Sequence, residues 1–200
     1  SQIPPTTALS ARAFSGSNFI DFEVPRNLHI LKSATLHMQI QNNDAVSDLE
    51  MPVAFNLINR IEYYFGSGLC ETVLGEHLYM QYCTSNSFEQ RGLLYGVNNV
   101  GILSFDSDRT RIVPKNQSKS FYIRLHSLLS QTHLFLPGIN QEIRIRVHFN
   151  SYDKWGVESY SEGGFDYTPP GTEPQMSKCD MILQHISVKP ENYKKLMTLY

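Results

Sequence analysis

The sequence predicts an all-β fold: an antiparallel β-sandwich with the topology of a single jelly roll, followed by a short C-terminal helix. Several short runs of residues alternate apolar and polar side chains with the period of two that is typical of half-buried strands. Connections rich in Gly, Pro, Ser and Asn separate these runs. Short connections alternate with long ones, and this arrangement favours a jelly roll over other sandwiches.

The clearest alternation lies in residues 143–149. Apolar residues occupy positions 143, 145, 147 and 149, whereas Arg144, Arg146 and His148 alternate with them. Because successive side chains of a strand point to opposite faces, this run has one face for a core and one polar face. An earlier run, 121–125, is rich in aromatic and β-branched residues, which strands prefer. Pro137 and Gly138 end the connection between the two strands.

The first part of the chain contains an arm, two strands and a hairpin. Residues 1–18 are polar and small, and we interpret them as an N-terminal arm. Residues 19–24 form a short strand, and 28–41 contain a second, longer alternation. Residues 57–73 are predicted to form a β-hairpin around Gly66-Ser67-Gly68. The apolar spacing in 75–82 predicts one or two helical turns.

The second part of the chain is organised around two long loops. Residues 84–117 are weakly patterned, with short strands expected at 102–105 and 110–113. Residues 151–178 are dense in Gly and Pro and are predicted to be a second long loop. Residues 181–188 form the last strand, and Pro190 stands where a helix begins. The predicted divisions are therefore an arm (1–18), a jelly-roll domain (19–188) and a helix or linker (189–200).

Composition excludes several classes of function. The formal net charge of −2 provides no surplus of Lys and Arg for binding phosphates, so we expect no sequence-specific contact with nucleic acid. No apolar run approaches the roughly 20 residues of a transmembrane segment. The three cysteines are odd in number and widely and irregularly spaced, unlike a disulfide framework, and we expect free buried thiols.

Motifs for catalysis are absent from the sequence. The seven histidines form neither an H-x-H pair nor the H-E-x-x-H spacing of a helical zinc site. Gly66-Ser67-Gly68 lacks the remaining residues of a phosphate loop or a nucleophile elbow, and a hairpin turn explains it. We therefore predict no catalytic, cofactor-binding or metal site, no cofactor, and a protein that is not an enzyme.

One loop carries candidate contact residues. Aromatic side chains are concentrated in its turn-rich sequence, at Tyr152, Trp155, Tyr160, Phe165 and Tyr167. Aromatic residues in such a loop must pack against something. They pack either on a neighbouring subunit or a ligand, or back onto the same domain.

Four segments, in this order, resemble one jelly roll of a double-jelly-roll viral major capsid protein. They are the opening strands (19–40), the hairpin (57–73, with Glu76-His77-Leu78 after it), the strand pair bridged by a Leu-Pro element (121–149), and the closing strand with its basic helix (181–196). That lineage includes tailless icosahedral phages, adenoviruses, virophages, polinton-type elements and nucleocytoplasmic large DNA viruses.

The resemblance implies a structural protein that self-assembles, as trimeric capsomers, into an icosahedral shell. Its partners would be itself and other capsid proteins, in a virion assembled inside the host cell. The alternative is a carbohydrate- or receptor-binding β-sandwich, such as a minor capsid or penton-type protein, with Trp155 and nearby tyrosines as a stacking platform. Because 200 residues accommodate one jelly roll, we expect either the first half of a longer protein, with 189–200 leading to a second jelly roll, or a single-jelly-roll relative.

Overall fold

The computed structural model describes residues 1–6, 19–45, 57–85, 113, 115–125, 134–151, 157–161, 164–168 and 172–198. Within these residues the strands, in chain order, are β1 (Gln2–Ile3), β2 (Phe19–Val24), β3 (Ile30–Gln41), β4 (Ile58–Phe65), β5 (Gly68–Leu74), β6 (Ser118–Leu125), β7 (Leu134–Phe135), β8 (Ile143–Phe149), β9 (Val157–Ser161), β10 (Gly164–Thr168) and β11 (Gln175–Ile186). The helices are α1 (Gly75–Ser85), a 3-10 turn (Leu136–Gly138) and α2 (Pro190–Met197).

Two antiparallel sheets form the body of the molecule. The first sheet has the order β1-β11-β3-β6, and β7 pairs with the beginning of β3. The second has the order β2-β8-β4-β5. Strands β9 and β10 form a separate hairpin. The prediction of an all-β antiparallel sandwich with a short C-terminal helix is confirmed.

The path of the chain between the sheets is that of a jelly roll. With β7 and the β9–β10 hairpin set aside as insertions, eight strands remain, four in each sheet. Among these eight, only β4 and β5 are consecutive neighbours within one sheet; every other step crosses to the opposite sheet. The first strand, β1, also lies beside the last, β11. Such an interleaved pair of four-stranded sheets is the double-sheet arrangement of jelly rolls.

The apolar faces of the two sheets enclose a single core. The inward-facing side chains of β3 include Leu36, Met38 and Ile40, each with no exposed surface. From the other sheet, β8 contributes residues 143, 145, 147 and 149, and β2 contributes Phe22. Burial of this apolar surface supplies most of the favourable free energy of folding.

The hairpin predicted around Gly66 is confirmed as β4 and β5. Phe65 pairs with Gly68, so the loop has two residues, Gly66 and Ser67. Gly66 has a φ of 58°, and glycine at the first loop position is the requirement of a type II′ turn. The backbone N–H of Gly66 donates to the carbonyl oxygen of Glu142 (2.7 Å), which ties the turn to the segment before β8.

The last strand begins earlier than the sequence predicts. It runs from Gln175 to Ile186, whereas alternation indicated 181–188. A β-bulge between Met176 and Lys178 explains the difference, because it places both Met176 and Cys179 on the buried side at a spacing of three. The period of two is therefore lost in the first half of this strand.

The first residues of the predicted N-terminal arm belong to a sheet in the structure. Gln2 and Ile3 form β1, paired with Met181 and Ile182 of β11, and Ile3 belongs to the core. The backbone N–H of Thr6 also donates to the carbonyl oxygen of Asp21. Two residues followed by Pro4-Pro5 are too short for a recognisable alternation. The remainder of the predicted arm, 7–18, lies outside the described residues.

The two predicted long loops have different outcomes. The strands expected at 102–105 and 110–113 lie outside the described residues, except for Val113, which is buried. The second loop, 151–178, is corrected by the structure, because it contains the β9–β10 hairpin and the first residues of β11. The density of Gly and Pro in this segment predicts a loop, but short glycine-containing connections also join the strands of hairpins.

Both predicted helices are present. Helix α1 extends to Ser85 and places Leu78 in the core. Helix α2 begins at Pro190 and has no buried residue, although Tyr193 contacts the rings of His29 and Phe135.

The cysteine prediction needs one correction. Cys179 is buried, but Cys70 is exposed. Cys70 is the extra residue of a bulge in the edge strand β5, because Tyr63 pairs with Glu71 and Tyr64 pairs with Leu69. The side chain of Cys83 lies outside the described residues.

Candidate assembly surface

The outward face of the β2-β8-β4-β5 sheet carries twelve side chains in three rows. Residues paired across neighbouring strands point to the same face, so each row follows from the strand register. The first row is Glu23, Arg144, Tyr64 and Leu69; the second is Asp21, Arg146, Glu62 and Thr72; the third is Phe19, His148, Arg60 and Leu74. We call these twelve residues the outer face.

Asp21 and Arg146 form the tightest contact in the middle row. The guanidinium Nε and Nη2 of Arg146 donate to the two carboxylate oxygens of Asp21, at 2.7 and 2.8 Å. This bidentate geometry is the strongest form of an arginine–carboxylate pair. The hydrogen bond to Asp21 raises the pKa of Arg146. The guanidinium also lies 4.0 Å from the ring centre of Phe19.

Glu62, in the middle row, accepts hydrogen bonds from three side chains of the two flanking rows. Its carboxylate lies 2.7 Å from Nε of Arg60, 2.7 Å from the hydroxyl of Tyr64 and 2.8 Å from Nε2 of His148. Burial by itself would raise the pKa of Glu62, but the hydrogen bonds from these three groups lower the pKa to about 2. Because an ionised carboxylate only accepts hydrogen bonds, Nε2 of His148 carries the proton in this contact.

The edges of the outer face are more exposed than its middle row. Asp21 and Glu62 are buried. In contrast, Phe19, Leu69 and Leu74 are 40%, 54% and 42% exposed. The surface therefore has an internally neutralised ionic centre with apolar side chains around it.

The outward face of the other sheet is organised around His37. Its ring stacks on Tyr122, with ring centres 4.5 Å apart and planes 5° from parallel. Asp180 lies 3.8 Å from its Nδ1 and also binds Lys178 (3.1 Å) and the side-chain amide of Gln2 (2.6 Å). Burial, followed by the nearby charge of Lys178, lowers the pKa of His37, while Asp180 opposes this shift.

Four polar strand residues, His37, His148, Arg144 and Arg146, lie on outward faces of the two sheets. The two histidines are nevertheless largely covered, and both arginines stack on aromatic rings. The ionic network itself was not predicted from the sequence. The signal that could have revealed it is that the charged outward residues of β2 are acidic, whereas the outward residues of β8 are basic.

The structure describes only part of the predicted aromatic loop. Tyr152 and Trp155 lie outside the described residues. Tyr160 of β9 pairs with Phe165 of β10, and Tyr167 pairs with Glu158, so the register brings two of the five aromatic positions side by side. Their role in subunit contact or ligand binding stays a prediction.

Within the described ranges, no three or more His, Cys, Asp or Glu side chains are grouped as a metal site would require. Neither α1 nor α2, the helices of the described chain, is long and apolar enough to cross a membrane.

Comparison with known proteins finds the same fold in solved structures of viral capsid proteins. No protein-family model matches the sequence, and no curated protein matches it significantly. Solved structures do match. VP54 of the virus PBCV-1, fitted into a reconstruction of the virophage Sputnik, superposes with a TM-score of 0.71 over 98% of this chain at 12% identity.

Two further solved structures share the fold. The mavirus major capsid protein matches with a TM-score of 0.53 over 96% of this chain at 14% identity, and the major capsid protein of STIV with 0.50 over 94% at 15%. The chain spans 43%, 47% and 50% of the lengths of VP54, the mavirus protein and the STIV protein. At such low identity the likeness establishes a common fold.

Proposed function

We propose that this chain is a structural viral capsid protein that self-assembles into the shell of a virion. The observation that carries the proposal is the jelly-roll topology, with interleaved four-stranded sheets that superpose on VP54 over 98% of the chain. The chain spans less than half of VP54, so the proposal concerns the part of a capsomer that one such jelly roll provides.

In this role, function depends on shape and on contacts between subunits. A rigid sandwich holds its outward faces and loops at fixed positions, and burial across many repeated interfaces closes a shell. We propose trimeric capsomers in an icosahedral shell, with the chain itself and other capsid proteins as partners and assembly inside the host cell. The net charge of −2 is consistent with a protein that does not recognise nucleic acid sequences. The proposal includes no enzymatic activity.

Size-exclusion chromatography with light scattering tests the trimer. We expect a species of three times the chain mass of 22.9 kDa, and larger particles visible by electron microscopy at high protein concentration. A chain that stays monomeric and binds a glycan through Trp155, with Trp155→Ala abolishing that binding, would contradict the proposal and favour the receptor-binding alternative.

A further inference from the structure

On the outer face, Glu23 and Arg144 carry opposite charges and are neighbours in register but do not bind each other, and neither has a hydrogen-bonded ion pair elsewhere among the described residues. Glu23 of β2 lies directly opposite Arg144 of β8, and such cross-strand residues have Cβ atoms about 5 Å apart. In the part of the chain that the structure describes, Glu23 forms no ion pair and is exposed. Arg144 comes no closer than 4.0 Å to a carboxylate, which belongs to Asp21.

The direction of the Arg144 side chain explains why this pair is not formed. Its guanidinium lies over the ring of Tyr64, 4.8 Å from the ring centre. Both carboxylate oxygens of Asp21 already accept hydrogen bonds from Arg146. The Nε of Arg144 is buried without a hydrogen-bond partner, yet 36% of the side chain is exposed. A guanidinium has five N–H donors, so Arg144 can bind an incoming carboxylate.

We propose that the outer face docks on the outer face of a second copy of this chain, with Glu23 of each copy binding Arg144 of the other. This inference rests on the proposed function and names one contact within it. In a two-fold interface, residue i contacts residue j of the partner, and j contacts i. Glu23, which has no ion pair within the described chain, and Arg144, whose nearest carboxylate there is 4.0 Å away, are adjacent on the same face. Under two-fold symmetry, each can therefore bind its counterpart on the partner copy, so that the contact forms twice.

The rest of the outer face suits a contact between proteins. Phe19, Leu69 and Leu74 present exposed apolar area, and Arg, Tyr and Phe are enriched at the centres of protein interfaces. Asp21 and Glu62 are already buried and hydrogen-bonded within one copy. When a second copy covers these two carboxylates, it therefore displaces little further water from them and leaves neither of them without a partner.

The size of the outer face indicates how strong the contact is. With strands about 4.8 Å apart and same-face residues about 6.8 Å apart, twelve residues cover roughly 400 Å². A standard stable interface buries roughly 800 Å² on each partner. One such contact is therefore weak, and it becomes effective where many copies are held together, as in a shell.

Charge reversal tests this contact. Sedimentation velocity over a concentration series, in low salt, compares the wild-type chain with Glu23→Arg, with Arg144→Glu and with an equimolar mixture of the two variants. We expect each single variant to self-associate at least about tenfold more weakly, because like charges then face each other across the two-fold axis. The mixture should regain wild-type association, because the new guanidinium at 23 meets the new carboxylate at 144, and the native Glu23 and Arg144 still meet.

Two controls accompany the experiment. Arg124→Glu makes the same charge change on β6, in the other sheet, and should leave association unchanged. Circular dichroism of every variant checks that the fold is retained.

The outcomes separate this contact from the proposed function. If the wild-type chain associates and both single variants associate equally well, the contact lies on another face; this inference then fails while the capsid role stands. If the variants still form trimers but no longer form larger assemblies, the result supports both the Glu23–Arg144 contact and the capsid role. A wild-type chain that remains monomeric at every concentration contradicts the capsid role itself.

Discussion

At the scale of single residues, Glu62 shows how a buried carboxylate stays ionised on the outward face of a sheet. Removing a carboxylate from water is costly unless hydrogen bonds replace the lost solvation. Arg60, Tyr64 and His148 supply those bonds from two strands. The result is a carboxyl group with a pKa of about 2 in the folded state, against 4.5 for an ordinary glutamate.

This pKa shift predicts a specific dependence of stability on pH. Because the unfolded chain binds the proton more readily, the contribution of Glu62 is complete above pH 4.5 and is lost as the pH falls towards 2. Glu62→Gln should lower the free energy of unfolding by about 2–3 kcal/mol at pH 7. Urea unfolding between pH 7 and pH 2 measures this, and the variant should lose less stability than the wild type across the acid range. Equal acid sensitivity in both proteins would refute the role given to Glu62.

At the scale of elements, the sequence predicts strands wherever alternation is uninterrupted. Residues 143–149 alternate throughout, and the strand occupies the same residues. For strand β11 the alternation predicts too late a start, because one bulge changes which side chains face the core between Met176 and Lys178. Strand β1 has two residues, too few to show a period. Local pattern thus predicts an element only where its backbone is regular.

The outer face could not be predicted in the same way, because it depends on pairing between distant strands. Asp21 and Arg146 are 125 residues apart in sequence, and they meet only because β2 and β8 are neighbours in one particular register. The sequence indicates which residues point away from the core. It does not indicate which of them meet.

The turn between β4 and β5 gives a prediction at this scale. Gly66→Ala should destabilise the protein by about 1–2 kcal/mol, because a side chain is strained at the positive φ of this position. The atoms nearest to the added methyl group belong to Gln141, and the shortest distance, 3.7 Å, is an ordinary van der Waals contact. Gly68→Ala is the matched control, since its φ is ordinary, and it should change stability by less than about 0.5 kcal/mol. Thermal unfolding of both variants measures the difference.

At the scale of the whole molecule, the fold persists where sequence identity is only 12–15%. A sandwich core requires apolar residues of suitable total volume on the inward phase of each strand, and many residue combinations meet that condition. The outward phase is free to vary. The ionic rows of the outer face are therefore the place to look for what is particular to this chain.

Ionic strength should separate association from folding. The Glu23–Arg144 contact joins an exposed carboxylate to a half-buried guanidinium at the surface. Salt screens charges at such a surface over about 10 Å at 0.1 M and about 3 Å at 1 M. Association of copies should weaken several-fold between 0.05 and 0.5 M NaCl (about one decade in salt). The free energy of unfolding should change little, because Asp21 and Glu62 are buried. Sedimentation and urea unfolding in the same buffers measure the two quantities, and association insensitive to salt would argue for a purely apolar contact.

Strand β3 has a consequence for how the chain acquires its structure during synthesis. It lies between β6 and β11, and its residue Ile30 pairs with Ile186. The ribosome must therefore release the chain through β11 before β3 can pair with both of its neighbours. Until then the apolar side chains of β3 are not stably packed in a core. Long-range pairing of this kind slows folding, so the nascent polypeptide passes through a vulnerable interval in which chaperones would compete with aggregation.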